Sequence, residues 1–260
     1  MDHEEGFLLP DTHAHLDADD FATDFEDMLS RARAAGVHPI LAVGEDLATS
    51  RKAVTLAARY DSIFAAVGVH PHRASQFYEE RDEVERLLDD KKVVAVGEVG
   101  LDWIRVPIDR DMQIEAFREQ LHWAAERALP VSVHNRSADD DVMDALRNVP
   151  VTAVLHCFDG SWDLANQAIS SGHFISFAGN VTFKRSDALR EVAGRMPADR
   201  ILVETDSPVL SPQGRRGRRN EPAHVVETAS VLALLRGLGF EAFSAQVSRN
   251  ANGVFRWNSP

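Results

Sequence analysis

The chain has 260 residues, of which 44% are hydrophobic and 27% are charged. This balance is typical of a globular protein with a large core, and it excludes a wholly disordered chain. The formal net charge of −13 repels nucleic-acid backbones and anionic membranes at long range. A polyanionic substrate therefore has to be held by local contacts.

Two features of the sequence predict the cellular compartment of the protein. Cys157 is the only cysteine, so an internal disulfide is excluded and a reducing compartment is expected. The N-terminal residues lack the basic end and apolar segment of a secretory signal, and no apolar run reaches the roughly 18 residues that a membrane span needs. We expect a cytoplasmic protein without a membrane partner. The sequence does not indicate its oligomeric state.

Short apolar segments alternate with amphipathic segments along the whole chain. The first predicted strand begins at Phe7, and the others cover residues 39–43, 63–70, 93–98, 130–134, 151–156, 174–177 and 201–204. Helices are predicted near residues 25–35, 49–60, 79–90, 110–128, 162–170, 187–195, 223–236 and 241–255. No helix is predicted between the fifth and sixth strands.

This alternation predicts an α/β fold. Nearly continuous apolar strands separated by helices are what a parallel sheet covered on both faces requires. Eight such units favour closure into a TIM (β/α)8 barrel, with an open doubly wound sheet as the alternative. A barrel of this kind takes about 250 residues, so one domain over residues 1–260 is predicted.

The segment after the first apolar run contains a pair of histidines, His13 and His15. On a strand, side chains at i and i+2 point the same way, so both imidazoles face one side and can hold one metal ion. Taken alone the signal is weak, because short histidine pairs arise by chance and often only hydrogen-bond inside a core. The interpretation depends on partner ligands from other strands.

The ends of the predicted strands are unusually polar. In a TIM barrel the active site lies at these carboxyl ends. They carry His13, His15, His70, Glu98, His134, His156 and Asp206. Each has a structural alternative: a buried histidine can be a core residue, Glu98 can pair with a base, and Asp206 can shape a turn. We expect these side chains to bind metal ions together rather than to have separate structural roles at every one of these positions.

The set fits a binuclear hydrolase. One ion is assigned to His13, His15, Glu98 and Asp206, and the other to Glu98, His134 and His156. Glu98 is the predicted bridge, because its strand lies between the two groups of ligands. Two divalent ions about 3.5 to 4 Å apart can share a carboxylate and a hydroxide, and Asp206 can accept the proton of the attacking water. Mg²⁺, Mn²⁺ and Zn²⁺ all suit this mixed set, so the sequence does not identify the native metal.

Seven blocks of sequence resemble the TatD family of metal-dependent hydrolases. They are DTHAHLD (11–17), VGVHPH (67–72), GEVGLD (97–102), VSVHNR (131–136), LHCF (155–158), VETDSP (203–208) and RNEP (219–222). They occur in the family's order and cover most of the chain. Trp103 departs from the pattern, since the family often has Tyr or Phe there, and this bears on substrate stacking rather than on metal.

The resemblance implies a TIM barrel of the metal-dependent hydrolase type and a divalent-metal hydrolase. Deoxyribonuclease activity is characteristic of the family. The resemblance also implies the same ligand set, carried over to His13, His15, Glu98, His134, His156 and Asp206. No ligand position departs from the family's pattern.

Substrate contacts are predicted at three residues near the strand ends. Arg136, two residues past His134, is placed to give a phosphodiester a bidentate donor. His70 and His72 end the third strand and are expected to contact substrate or to stabilise the leaving group. For His72, ordering of the loop beside Pro71 is an equal alternative.

A run of arginines follows the eighth strand, on a chain that is acidic overall. It comprises Arg215, Arg216, Arg218 and Arg219. Such a run is usually a solvated loop, but its predicted position at the barrel mouth makes phosphate capture an equal alternative. Arg219 also lies in the family-like RNEP block, and we expect it to contact substrate.

These observations predict a hydrolase that cleaves phosphodiester bonds from a strand end, with DNA, preferentially single-stranded ends, as the partner. An acidic barrel with a mouth-sized site suits a terminus better than a long duplex. The alternatives are hydrolysis of a carboxylic ester, an aminoacyl-tRNA ester or a cyclic amide, and a catalytically idle metal-bound scaffold. The polarity of digestion and the physiological substrate are not predicted.

Overall fold

The structure, a computed structural model, describes residues 8–105 and 109–257, and within these ranges it contains eight β-strands. They are β1 (Leu9–Ala14), β2 (Val37–Val43), β3 (Ile63–Val67), β4 (Val93–Asp102), β5 (Val131–Arg136), β6 (Ala153–Leu155), β7 (Phe174–Phe177) and β8 (Ile201–Val203). Neighbours in the order β1 to β8 pair in parallel. The predicted start of the first strand, Phe7, lies outside the described residues.

The first and last strands meet and nearly close the barrel. Ala14 forms a parallel bridge with Ser207, and the His15 N–H donates to the Ser207 carbonyl at 2.8 Å. The Asp206 N–H donates to the His13 carbonyl at 2.9 Å. Closure therefore occurs through the residues predicted as metal ligands. The predicted TIM (β/α)8 fold is confirmed.

Nine α-helices lie in the described ranges. They are α1 (Phe25–Ala34), α2 (Leu47–Arg59), α3 (Phe77–Leu87), α4 (Arg110–Arg127), α5 (Asp139–Arg147), α6 (Trp162–Ser170), α7 (Asp187–Arg195), α8 (Val225–Leu235) and α9 (Phe240–Phe255). The sequence analysis predicts no helix where α5 lies. Its first turn is a run of three aspartates, which resembles a solvated loop but suits the positive end of a helix dipole.

Most strands differ from the prediction by a few residues, and two of these differences bear on the site. β4 continues four residues beyond Glu98, because Gly100 lets its backbone approach β5 closely. A Cβ built on Gly100 would lie 2.0 Å from the carbonyl oxygen of His134, and the Gly100 φ is 141°. β6 ends at Leu155, so His156 stands just beyond the strand rather than on it.

The C-terminal part of α9 covers one end of the barrel. Residues from five strands form an apolar cluster with Phe255 and Trp257: Leu41, Ala66, Ala95, Val154 and Leu202. Phe64 and Phe174, near the beginnings of their strands, pack against this cluster. The amino end of the barrel is therefore filled by apolar side chains, and the carboxyl end is left for the site.

Within residues 8–105 and 109–257, no single helix has the length and apolar character of a membrane span. By length and composition alone, one helix pair bent by 109°, Pro222–Leu235 with Phe240–Phe255, passes the same test.

Candidate metal centre

A cavity of about 550 Å³ opens at the carboxyl ends of the strands. Among the predicted site residues it is lined by His15, His70, His72, Glu98, His134, Arg136, His156 and Asp206. His13 lies beneath it, fully buried, with its Nε2 3.4 Å from the Nε2 of His15. The barrel thus brings together residues that are far apart in the sequence.

One half of the centre is built on β1. The period of two along a strand turns His13 and His15 to the same side, as predicted. Their Nε2 atoms lie 3.4 and 3.5 Å from Oε2 of Glu98. Asp206 completes this half, because its Oδ1 lies 3.5 Å from the Nε2 of His15 and 4.0 Å from that of His13.

The other half is built on β5 and the residue after β6. The Nδ1 of His134 lies 2.7 Å from Glu98 Oε1, and the Nε2 of His156 lies 2.8 Å from the same oxygen. His70 also faces Oε1, at 3.2 Å from its Nε2. Since the Nδ1 of His70 accepts the His72 N–H, the Nε2 carries the proton and donates to Glu98.

Glu98 stands between the halves, with one carboxylate oxygen turned to each. It is 3% exposed, and no counter-charge other than the surrounding histidines contacts it among the described residues. This is the placement needed for a carboxylate that is shared by two cations.

The carboxylates of the cluster stabilise positive charge on the groups around them. Burial opposes ionisation of Glu98, but the neighbouring His156 and His70 hold its pKa well below the ordinary value. Burial also disfavours a charged His156, yet Glu98 and Glu204 raise its pKa well above the ordinary value. For His15, Asp206 and Glu98 overcome burial and raise the pKa to about 9. Imidazole nitrogens and carboxylate oxygens under this field fit divalent cations.

In three histidines the ring nitrogen that does not face Glu98, called the outer nitrogen, has a different partner in each case. The Nδ1 of His13 lies 3.0 Å from the Ser132 hydroxyl, and the Nδ1 of His156 lies 3.3 Å from Glu204 Oε1. The Nε2 of His134 lies 3.3 Å from Asp102 Oδ2. Such outer contacts fix which nitrogen of an imidazole faces a metal.

Three acidic residues of the site were missed by the sequence reasoning. Asp102 and Glu204 lie within the family-like blocks, but no role was assigned to them. Glu45 follows β2 and lines the cavity, where one of its oxygens groups with His15 and Glu98 within 4.8 Å. Glu45 and Glu204 stand at or just beyond a predicted strand end, so the rule used for the histidines would have found them if every acidic residue there had been considered. Asp102 lies four residues past the predicted end of the fourth strand, and that rule does not reach it.

The loop that carries Asp206 is held by buried hydrogen bonds. The Asn220 Nδ2 donates to the carbonyls of Thr205 and Val209 at 2.9 and 2.8 Å. The Thr205 N–H and hydroxyl donate to the Asp11 carboxylate at 2.8 and 2.6 Å. The RNEP block thus supports the position of Asp206 through Asn220.

Two predicted substrate contacts lie at the rim of the cavity. The Nε2 of His72 lies 2.7 Å from Asp102 Oδ2, so this ring is held against the site. The Arg136 side chain is exposed and makes no hydrogen bond or ion pair within the described residues. Burial raises the pKa of the nearby Asp159, and the charge of Arg136 opposes that rise only in part. Arg105, which was not predicted, lines the same cavity.

Arg219 does not line the cavity, so the geometry gives no support to the expected substrate contact, which stays a prediction. Its guanidinium makes a bidentate pair with Asp24 at 2.6 and 2.7 Å and lies over the Phe21 ring at 4.9 Å. Asp24 also pairs with Arg31, which reaches Glu221 at 2.7 Å. These contacts tie the loop after β8 to α1, a role that the position of Arg219 in the sequence does not reveal.

The other arginines of the run are exposed. Arg215 pairs with Glu227, and the Arg216 guanidinium lies 4.4 Å from the centre of the Phe183 ring. They do not line the cavity, which leaves phosphate capture by the run without a structural argument.

Comparisons with known proteins identify the family of this chain. The family model described as TatD related DNase matches residues 10–256. The uncharacterized metal-dependent hydrolase YabD of Bacillus subtilis is 41% identical over 257 residues, which cover 96% of this chain and 100% of that protein. The 3'-5' ssDNA/RNA exonuclease TatD of Erwinia tasmaniensis is 37% identical over 255 residues, covering 94% and 98%.

A solved structure is similar over the same length. YJJV, a TatD homolog from Escherichia coli, superimposes with a TM-score of 0.88 at 31% identity, covering 97% of this chain and 98% of that one. The resemblance inferred from the seven sequence blocks is confirmed. This chain belongs to the TatD family of metal-dependent hydrolases.

Proposed function

We propose that this hydrolase is a phosphodiesterase that removes nucleotides from the ends of single-stranded DNA with the help of two divalent ions, Mg²⁺, Mn²⁺ or Zn²⁺. The observation that carries the proposal is the placement of Glu98. Its Oε2 faces His13 and His15 at 3.4 and 3.5 Å, and its Oε1 faces His134 and His156 at 2.7 and 2.8 Å. Two separate donor groups therefore share one carboxylate.

The proposed ligands are those of the two halves: His13, His15, Asp206 and Glu98 for one ion, and Glu98, His134 and His156 for the other. When bound, the ions supply a polarised phosphoryl oxygen and a water of lowered pKa. Asp206 is the proposed acceptor of the proton that the attacking water releases, because its carboxylate lies at the edge of the cavity.

The protein's own residues also bind and orient the substrate. Arg136, exposed at the rim, gives two parallel N–H donors to a phosphate oxygen pair. His72 lies at the cavity rim after β3 and is the proposed substrate contact there, while both ring nitrogens of His70 are engaged, by the His72 N–H and by Glu98. These contacts offset the long-range repulsion of a chain with a net charge of −13.

The size of the cavity and the named relative support a strand end as the substrate. A volume of about 550 Å³ lies in the range of small-molecule sites, so it suits a terminal nucleotide rather than a duplex. The relative from Erwinia tasmaniensis is named as a 3'-5' ssDNA/RNA exonuclease. A cytoplasmic location is part of the proposal and is supported by the single cysteine.

The test is metal-stripped protein reloaded with Mg²⁺, Mn²⁺ or Zn²⁺. It is offered single-stranded DNA labelled at either end, RNA, an aminoacyl-tRNA, and small ester and cyclic amide probes. We expect stepwise shortening of single-stranded DNA with at least one metal. Glu98→Gln should reduce the rate about a thousandfold or more, since both ions lose a ligand.

Glu126→Gln is the matched control, because Glu126 is an exposed residue of α4. It should cleave at the wild-type rate. Cleavage of an ester or amide probe with no shortening of DNA or RNA would replace the proposal by the carbon-centre alternative. No metal-dependent cleavage of any probe would favour the idle scaffold.

A further inference from the structure

Asp102 is a buried carboxylate that contacts four neighbours at the edge of the candidate metal centre. It ends β4, and it is 1% exposed. Its Oδ2 lies 2.7 Å from the Nε2 of His72 and 3.3 Å from the Nε2 of His134. Its Oδ1 accepts the N–H groups of Ile104 and Arg105, both at 2.9 Å.

The contact with His134 decides which ring nitrogen can bind a cation. The two nitrogens of this imidazole face different carboxylates: Nδ1 faces Glu98 and Nε2 faces Asp102. Ionised carboxylates only accept hydrogen bonds, so in the absence of a cation each of them favours a proton on the nitrogen that faces it. A cation on the Glu98 side needs the lone pair of Nδ1, and the proton of His134 then has to stay on Nε2, where Asp102 accepts it.

The contact with His72 uses the same oxygen. His72 is half-buried at the cavity rim and has been assigned a substrate contact above. Because Asp102 Oδ2 accepts from both rings, the position of His72 and the tautomer of His134 depend on one atom. The loop bearing Arg105 is attached to the other oxygen of the same carboxylate.

We propose that Asp102 is a positioning residue of this enzyme. It sets the His134 tautomer that offers Nδ1 to the ion shared with Glu98 and His156, and it aims His72 into the cavity. The inference rests on the metal centre proposed above. Outer carboxylates of this kind typically change metal affinity tenfold to a hundredfold.

Two substitutions separate the positioning role from the attachment of the loop. In Asp102→Asn the amide oxygen can still accept the N–H groups of Ile104 and Arg105. Its NH₂ group donates, however, and so favours a lone pair on His134 Nε2 and a proton on Nδ1. Asp102→Ala removes both kinds of contact.

The experiment measures the metal affinity and the contact at Nε2 separately. Zn²⁺ alone is titrated into metal-free protein by calorimetry, and ring-nitrogen chemical shifts of His134 are recorded in the Zn²⁺-loaded protein. Asp102→Asn should weaken one of two Zn²⁺ sites about tenfold to a hundredfold and change the Nε2 shift, because an NH₂ group in place of Oδ2 cannot accept the Nε2 proton. Asp141→Asn, which alters the carboxylate that accepts from the Trp103 indole, should match the wild type.

An Asn variant with an unchanged Nε2 shift and wild-type Zn²⁺ affinity at every site would overturn the inference. If that variant does not fold, Asp102→Ala replaces it, and wild-type Zn²⁺ binding by this variant overturns the inference equally. The same comparison applies when the wild type binds a single ion. Failure of the two-ion proposal, or of DNA cleavage, is therefore distinguishable from failure of the role of Asp102.

Discussion

The two halves of the candidate centre use the same imidazole and carboxylate groups but are built differently. The histidines of one half, His13 and His15, come from β1 and the residue directly after it, and the outer nitrogen of His13 meets only the Ser132 hydroxyl. The half with His134 and His156 comes from two segments, and a buried carboxylate faces the outer nitrogen of each ring. The difference shows two ways to orient a ligand: by backbone geometry within one strand, or by outer partners between strands.

The proton affinities of the histidines show how burial and carboxylate contacts compete. Burial and the nearby His156 lower the pKa of His13. Burial acts on His134 as well, but the carboxylates of Asp102 and Glu98 reverse it and raise the pKa. Carboxylate contacts therefore outweigh burial at His15 and His134, whereas burial prevails at His13.

Removing one histidine from each half has the largest expected effect. His15→Ala should lose one ion per chain and keep the other, because His134 and His156 remain on Glu98. His156→Ala should lose one ion and weaken the second, since the His13 ring stacks on His156 with centroids 3.9 Å apart. Either loss should reduce cleavage about a thousandfold. Metal analysis after gel filtration measures the stoichiometry.

His122→Ala on α4 is the control and should keep the wild-type metal content. Equal losses in the two variants would remove the asymmetry between the halves. Two ions retained in His15→Ala would show that His15 is not a ligand.

Substitution of the residues that contact the outer nitrogens of His156 and His13 has the next largest expected effect and compares the two halves directly. Glu204→Gln leaves His156 without its carboxylate, while the Cys157 N–H can still donate to the amide oxygen at that position. We expect affinity for one ion to fall about tenfold to a hundredfold. Ser132→Ala removes only a neutral hydroxyl from His13, so its effect should be smaller. Calorimetric titration with Mn²⁺ compares the two variants, and equal effects would contradict the comparison.

Two arginines then test which charges face the substrate. Arg136→Ala should raise KM for single-stranded DNA about tenfold with a smaller change in kcat, because a charged hydrogen bond is worth roughly 1.5–3 kcal/mol. Arg219→Ala should leave KM unchanged and lower the melting temperature by a few degrees, since its partners Asp24 and Glu221 lie outside the cavity. A raised KM in Arg219→Ala would restore the expectation drawn from the sequence.

The parts predicted from the sequence share a simple physical basis. Strands and most helices follow from apolar periodicity, and the fold then places every strand end at one face. The six predicted ligands needed only this rule, and the structure brings them together around Glu98. Their metal roles remain predictions until metal is measured.

The parts that the sequence did not predict depend on orientation in space. Which nitrogen of His134 faces Asp102 is set by the side-chain rotamer and by the approach of β4 to β5 at Gly100. The direction of Arg219 depends on Asp24, which is 195 residues away in the sequence. Short-range patterns contain neither kind of information.

The smallest expected effect concerns His173, a buried histidine without a carboxylate partner. Its Nδ1 accepts the Ala153 N–H at 3.2 Å, and burial lowers its pKa below the ordinary 6.5. Below pH 6.5 the imidazole therefore binds a proton in the unfolded chain more readily than in the folded chain. Its contribution to the free energy of unfolding is complete above pH 6.5 and is lost as the pH falls. His173→Asn keeps an acceptor but cannot titrate. Urea unfolding between pH 7.5 and 5 should show a shallower loss of stability in the variant, by at most about 1.4 kcal/mol per pH unit. Identical slopes would mean that burial without a carboxylate partner does not disfavour the charged imidazole here, and the opposing effect assigned to burial at His13 and His134 would lose its support.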